Sequence, residues 1–247
     1  MAAAQVSDAD GVWQDRRVEG IEVRKLAELE DGHWWYRERR HLLAQQVRGL
    51  RPGLALDVGA AGGGNTRVLQ GLGWRAVALE YGVDGAEVAR DRGLPVVRGD
   101  ATALALGTST VDLVVAYDVL EHLVDDVAAA HEVRRVLRPG GHFMVAVPAD
   151  PRLWSAHDEA VDHVRRYTRP TLTALLARAG FAIESLHSWN VLLRPVVALR
   201  RRVSTGSDLE QLSPLVNRGL GAIITAERYL PVRALPGVSL LVSARRP

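Results

Sequence analysis

Residues 54–65 read Leu54-Ala55-Leu56-Asp57-Val58-Gly59-Ala60-Ala61-Gly62-Gly63-Gly64-Asn65, a short apolar run that opens into a turn with four glycines in six residues. An apolar run of five bounded by turn residues fits a buried strand. Glycines let the chain turn tightly and bring its backbone close to a ligand. Thr66–Leu72 continues as a helix that Gly73 closes. The first N–H groups of such a helix have no partner of their own, so strand, turn and helix start form a polar cradle. Tight packing of strand on helix explains one or two glycines. It does not explain four.

Working outward, the alternation continues. Arg75–Leu79 reads as a second strand, Asp84–Arg92 as a helix, Pro95–Val97 as a third strand and Val111–Ala116 as a fourth. Leu120–Leu137 reads as one or two helices ending at Arg138-Pro139-Gly140-Gly141, and Phe143–Val147 as a fifth strand. Strands alternating with helices predict a parallel sheet covered on both faces. After a polar loop, 149–167, come a helix at Arg169–Ala179, a sixth strand at Phe181–Trp189 and a last strand at Gly237–Ala244. Upstream, Leu26, Leu29, Leu42, Leu43 and Val47 recur at helical spacing, with Gly32 dividing 22–50 into two helices. The organisation expected is a flexible arm at 1–21 and one domain over 22–247.

The chain has 247 residues, a length suited to one large core. With 47% hydrophobic and 24% charged residues it is not disordered or fibrous. The absence of cysteine excludes disulfides, thiol nucleophiles and Cys-built metal sites. Net charge is only +2, but from Asn190 onward nine arginines face three acids, so that tail is +6 and the rest −4. The N-terminus lacks the pattern of a signal peptide, and no apolar stretch is long enough to span a membrane. A cytoplasmic location is expected.

The glycine turn alone leaves the nucleotide open. Gly59-x-Ala61-x-x-Gly64 fits the dinucleotide fingerprint with one substitution, and Glu80 stands where a ribose would be held. Against that reading, Asp57 precedes the first glycine, where it repels a pyrophosphate and attracts an ammonium or sulfonium. Asp100 ends the third strand and Asp118 the fourth.

With these acids in place the sequence resembles the class I S-adenosylmethionine-dependent methyltransferases over roughly residues 33–189. Leu56–Gly64 is similar to their first motif, with Ala61 in place of the middle glycine. The resemblance implies a Rossmann-like seven-stranded sheet with helices on both faces, its last two strands an antiparallel hairpin. It implies a cofactor held by Asp57, Gly59, Ala61, Gly63, Glu80, Asp100, Ala101 and Asp118. Trp35, in a cap helix, would cover the pocket or merely anchor that helix. His33-Trp34-Trp35-Tyr36-Arg37, Leu153-Trp154-Ser155, His157-Asp158-Glu159 and His163-Val164-Arg165-Arg166-Tyr167-Thr168 further resemble a bacterial subgroup, which usually has Gly where this chain has Asp162.

Methyl transfer from a sulfonium is an in-line displacement that needs positioning, and a base only for a poorly acidic acceptor. His122, His157 and His163 are the candidate bases. Asp118, Glu121 and His122 also resemble a Mg²⁺-holding set of ubiquinone-pathway relatives, but a helix start with acids is the reading kept, with no metal expected. No Asn/Asp-Pro-Pro-aromatic sequence follows strand four, so nucleic acid is not the expected partner. A small molecule is, from a natural-product, lipid or saccharide pathway. Two other readings stay open: a nicotinamide-dependent oxidoreductase, and an inactive binding subunit. The 47 residues 190–236 are too apolar for a linker. They are expected to form a helical lid with Trp189, Asn190 and Arg194 near the substrate. A face for a second subunit, or a peripheral membrane contact through its arginines, is the alternative. The protein is expected to be a monomer or homodimer.

Overall fold

The computed structural model describes residue 24 and residues 27–203 and 212–247. The expected arm at 1–21, most of residues 22–26 and the stretch 204–211 of the insertion lie outside the described residues.

Seven strands form one sheet: β1 (Leu54–Val58), β2 (Arg75–Glu80), β3 (Val96–Arg98), β4 (Val111–Tyr117), β5 (Leu137–Pro148), β6 (Ala182–Trp189) and β7 (Ser239–Arg245). Their order is β3-β2-β1-β4-β5-β7-β6. β1 to β5 pair in parallel, while β7 runs antiparallel between β5 and β6. The seven-stranded α/β fold is as expected, and the hairpin of β6 and β7 sits where it was foreseen.

The central strands read as continuous apolar runs because both faces are covered. On one face Leu56, Val58, Val114, Ala116, Val145 and Val147 join Leu172 and Leu176 of α6 (Arg169–Arg178) and Val133 of α4 (Asp126–Val136). On the other, Ala55, Leu113, Val115, Met144 and Leu241 meet Leu43 and Val47 of α1 (Trp34–Val47) and Leu69 of α2 (Gly64–Gly71). Alternating residues thus serve opposite cores, each fully buried Leu or Val contributing about 1.5–3 kcal/mol. α3 (Val83–Asp91) packs along β2 and β3.

The stretch 120–137 divides, as one of the two expected arrangements, into a 3₁₀ helix, Leu120–His122, and α4, whose start is fixed by Asp125 accepting from Ala128 N at 2.8 Å. One boundary needs correction. Strand five begins at Leu137, six residues earlier than expected. Leu137 pairs with Val111 and His142 with Leu113, so Arg138-Pro139-Gly140-Gly141 bulges from within the strand instead of preceding it. Gly140 supplies the left-handed backbone this needs (φ 81°).

The loop 149–167 contains a short helix, α5 (Ala156–Ala160). The insertion supplies α7 (Arg194–Val203) and α8 (Pro214–Glu227). Leu193, Val197, Leu220 and Ile224 turn inward to one apolar cluster with Trp34, Trp35 and Trp189. α8 lies against α1, where Asn217 bonds Trp34 N at 2.9 Å and Gly32 O at 3.0 Å and Arg228 pairs with buried Glu38.

Candidate active site

The C-terminal ends of β1, β2, β3 and β4 border a cleft of about 620 Å³. Crevices at this end of a parallel sheet are where α/β proteins bind ligands. Five of the expected cofactor residues line it: Gly59, Glu80, Asp100, Ala101 and Asp118. So does His122. Asp57, Ala61, Gly63, Trp35, His157 and His163 are not among its lining residues. Tyr81, Thr102, Leu123 and Val124 line it without having been singled out; short apolar or polar residues beside strand-end acids carry no signal of their own.

Each lining residue is placed by the strand it ends. Gly59 has φ 63°, and a Cβ there would stand 2.7 Å from Val119 Cγ2, so only glycine fits. Glu80, at the end of β2, accepts from Ala61 N, and burial holds its carboxyl above the usual range. Asp100 is tied by Thr102, whose side chain and N–H both donate at 2.7 Å and lower its pKa. Asp118 adopts φ 58°, which turns it out of β4 into the cleft. Its carboxylate pairs with Arg39 of α1.

Arg39 is 3% exposed and sits 5.0–5.6 Å from the ring centres of Trp35, Tyr117 and Trp189. Trp35 packs on Trp189 at 4.4 Å. The Trp cluster is therefore a box around the guanidinium that fixes Asp118, and the sequence held a sign of it: Arg39 lies four residues after Trp35, on the same helix face.

Behind the glycine turn, Asp57 is 1% exposed. Thr66 Oγ1 donates to its Oδ2 at 2.7 Å, while Oδ1 has no hydrogen-bond partner among the described residues. Burial pushes this carboxyl up to about 7. The glycines also admit the N-terminal cap: Arg92 donates to Gly62 O, Ala27 O and the Glu30 carboxylate, clamping cap to turn.

The three histidines separate into one at the cleft and two behind it. His122 is exposed to the cleft, bonds the Asp162 main chain, and is held below its ordinary pKa by partial burial and by His163. His163 lies edge-to-face with His122 at 4.8 Å, its Nδ1 2.8 Å from Asp158 Oδ1. His157 is 6.1 Å further on, ring to ring. Asp158 is fully buried and takes Arg166 Nε at 2.7 Å and Nη2 at 3.0 Å. Asp118 is held by Arg39, so the Asp118–Glu121–His122 set does not assemble. Glu121, His122 and His163 do approach, one ligand atom of each within 4.8 Å of the others.

Glycine turn, strand-end acids and sheet order together define a nucleoside-binding α/β protein. The antiparallel β7 separates it from the 3-2-1-4-5-6 order of the dinucleotide folds. Residues 56–145 match the family model described as a methyltransferase domain. Over 168 residues, 65% of this chain, it is 31% identical to a probable S-adenosylmethionine-dependent methyltransferase of Mycolicibacterium smegmatis, of which it covers 64%. It is 34% identical over 124 residues to a demethylmenaquinone methyltransferase of a Mycobacterium species, half of each chain. A putative methyltransferase from Haloferax volcanii, solved with a methyltransferase activator, superposes with TM-score 0.65 at 19% identity, covering 92% of this chain and 95% of that one. Fold and matches together make the chain similar, over residues 56–145 and in its sheet topology, to S-adenosylmethionine-dependent methyltransferases. It spans just under two thirds of the mycobacterial relative it matches over 168 residues.

Proposed function

We propose that the protein transfers a methyl group from S-adenosylmethionine to a hydroxyl or amino group of a small-molecule acceptor. The observation that carries this reading is three acids on successive strand ends, Glu80, Asp100 and Asp118, around one cleft beside the glycine turn. Glu80 would accept from ribose hydroxyls, and Asp100 with Ala101 would meet the adenine. The partnerless Asp57 Oδ1 suits the ammonium of the methionine end, which would draw the carboxyl back to its ionised form. Bound there, the cofactor supplies an electrophilic methyl on a sulfonium.

The protein's own part is orientation and proton handling. Arg39 holds the Asp118 carboxylate at the cleft, keeping negative charge where a sulfonium would sit. His122 is the proton acceptor: one ring nitrogen is engaged by the Asp162 carbonyl and the other keeps its lone pair. His163 and His157 stand behind it as support. The insertion would close the acceptor side; Trp189 and Asn190, both buried, and Arg194, paired with Asp150, are not among the cleft's lining residues and would act through the cap instead of at the substrate.

Calorimetry with S-adenosylhomocysteine tests the cofactor half. Wild type should bind, and Glu80→Ala should weaken binding by about tenfold, the worth of one or two hydrogen bonds. No heat with wild type, together with tight binding of a nicotinamide dinucleotide, would replace this reading with a dehydrogenase.

A further inference from the structure

The cleft lining stops at Gly59 and Asp118 and includes none of Asp57, Ala61 and Gly63. Those three belong to the glycine turn or to the strand end beneath it, and a segment of the cap crosses that turn. It comprises residues 27–32, ahead of α1; just upstream of it, Arg24 reaches Glu87 of α3 at 3.1 Å. A Cβ on Gly62 would stand 3.0 Å from both Ala27 Cβ and Glu30 Oε1, and one on Gly64 2.5 Å from Glu30 Oε2. Gly62 and Gly64 thus make room for the cap.

Charge and polar bonds hold this segment, not the core. Arg92, directly after α3, donates to Gly62 O, Ala27 O and the Glu30 carboxylate. Arg67 of α2 donates to Glu30 at 2.9 Å and to Asp31 at 2.7 Å, and Arg40 of α1 donates to Glu30 O at 2.6 Å. Among the described residues, neither Ala27 nor Leu29 joins an apolar cluster of the sheet. Partly exposed ion pairs add little net stability, and segments with few buried apolar contacts open first. α1 is anchored differently, by Leu43 and Val47 in the core, so the piece free to lift ends at Gly32.

We propose that residues 27–32 are a strap, shut in this structure, that lifts from the glycine turn to admit the methionine end of S-adenosylmethionine, with Arg92 as its latch. The inference rests on the reading that Asp57 meets that end of the cofactor. Asp57 Oδ1 is buried without a partner among the described residues, so an ammonium reaches it only when its cover moves. Glu30 belongs to that cover: its charge and that of Glu80 are the two acidic fields felt at Asp57. Lifting the strap breaks the Arg92 bonds, uncovers the turn and takes Glu30 away from Asp57. The nucleoside end needs no such step, because Glu80, Asp100 and Ala101 already line the cleft. Closure afterwards shuts water out from around the sulfonium.

A reversible crosslink tests the strap directly. The native chain has no cysteine, so Ala27→Cys with Gly62→Cys can form only one intramolecular disulfide. Their Cβ atoms would lie 3.0 Å apart, near the usual disulfide spacing of about 3.5–4.5 Å. Arg92 must shift from the new side chain, so one protein is compared with itself, oxidised and reduced. The probes are S-adenosylhomocysteine and 5′-methylthioadenosine, which keeps the nucleoside and lacks the amino acid. Oxidised protein should bind methylthioadenosine as the reduced form does and lose S-adenosylhomocysteine, with dithiothreitol restoring it. In the native background, Arg92→Gln should speed S-adenosylhomocysteine association about tenfold, the worth of one or two hydrogen bonds, and leave methylthioadenosine unchanged. This variant decides the matter should the cysteine pair fail to fold or to close. Oxidised protein that binds S-adenosylhomocysteine like the reduced form overturns the proposal, as do wild-type association rates in Arg92→Gln. Loss of both ligands on oxidation also overturns it, since the segment would then support the whole cleft. Failure of wild type to bind S-adenosylhomocysteine would remove the cofactor reading itself, whereas these outcomes with wild-type binding intact remove only the strap.

Discussion

Asp57 shows how one residue can be legible in kind and illegible in state. Its place before the first glycine marked it as a cofactor residue, but nothing in the sequence says that it is 1% exposed and raised to about 7. Burial dominates that rise; the Thr66 hydrogen bond opposes it. An unfolded Asp titrates near 3.8, so between roughly pH 4 and 7 the native state holds a proton that the unfolded chain has released. Stability therefore falls as pH rises through that window and levels off above it, with a ceiling of roughly 4 kcal/mol. Urea unfolding of apo protein at pH 5 and pH 8 should show a larger loss in wild type than in Asp57→Asn, which keeps the smaller contribution of buried Glu80. The variant should bind S-adenosylhomocysteine less tightly even where it is the more stable protein. Wild-type stability that rises from pH 5 to 8 would mean Asp57 is ionised and partnered. The other strand-end acids were legible because position alone places them: a strand's last residue in a parallel sheet points to the crevice. The histidines were not. Which of them meets the cleft depends on how Asp158 and Arg166 fold the 149–167 loop back on the 3₁₀ turn, a long-range packing result.

At the scale of elements, periodicity found every strand and the main helices, and boundaries failed where local chemistry overrode it. Arg138-Pro139-Gly140-Gly141 reads as a turn, yet the flanking residues both pair with β4 and the strand absorbs it as a bulge. The insertion's helices were foreseen but not their docking. Ile224 of α8 is fully buried against the Trp cluster, and Arg228 neutralises Glu38, itself only 4% exposed. A helix so anchored is part of the folded core of the cap. Ile224→Ala should cost about 2–5 kcal/mol in chemical unfolding. Arg228→Gln, which leaves a buried acid unpaired, should cost about 1–3 kcal/mol. Near-zero effects from both would mean that α8 is a loosely held flap.

For the molecule as a whole, the charge asymmetry between tail and body takes on a different meaning. In the sequence, the +6 tail invited a peripheral membrane contact. In the fold, Arg194 reaches Asp150, Arg201 reaches Asp158, Arg228 reaches Glu38 and Arg245 approaches Glu184 at 3.6 Å. Arg246 donates to Ser109 Oγ and to the carbonyls of Arg134 and Leu137. Four of the nine arginines of the tail thus meet acids within the fold. The insertion also turns apolar side chains outward beside the exposed Arg200, Arg218 and Arg233: Val196 and Leu199 on α7, Leu215 on α8 and Tyr229 after it are each at least 60% exposed. Surface attraction to anionic lipid needs unpaired basic side chains beside such a face. With four tail arginines already paired to acids, vesicles containing phosphatidylserine should pellet little more protein than neutral vesicles do at physiological salt. Salt-sensitive pelleting that disappears when residues 205–230 are deleted would show that the pairing seen here gives way at a bilayer, and would make the insertion a membrane face instead of a lid.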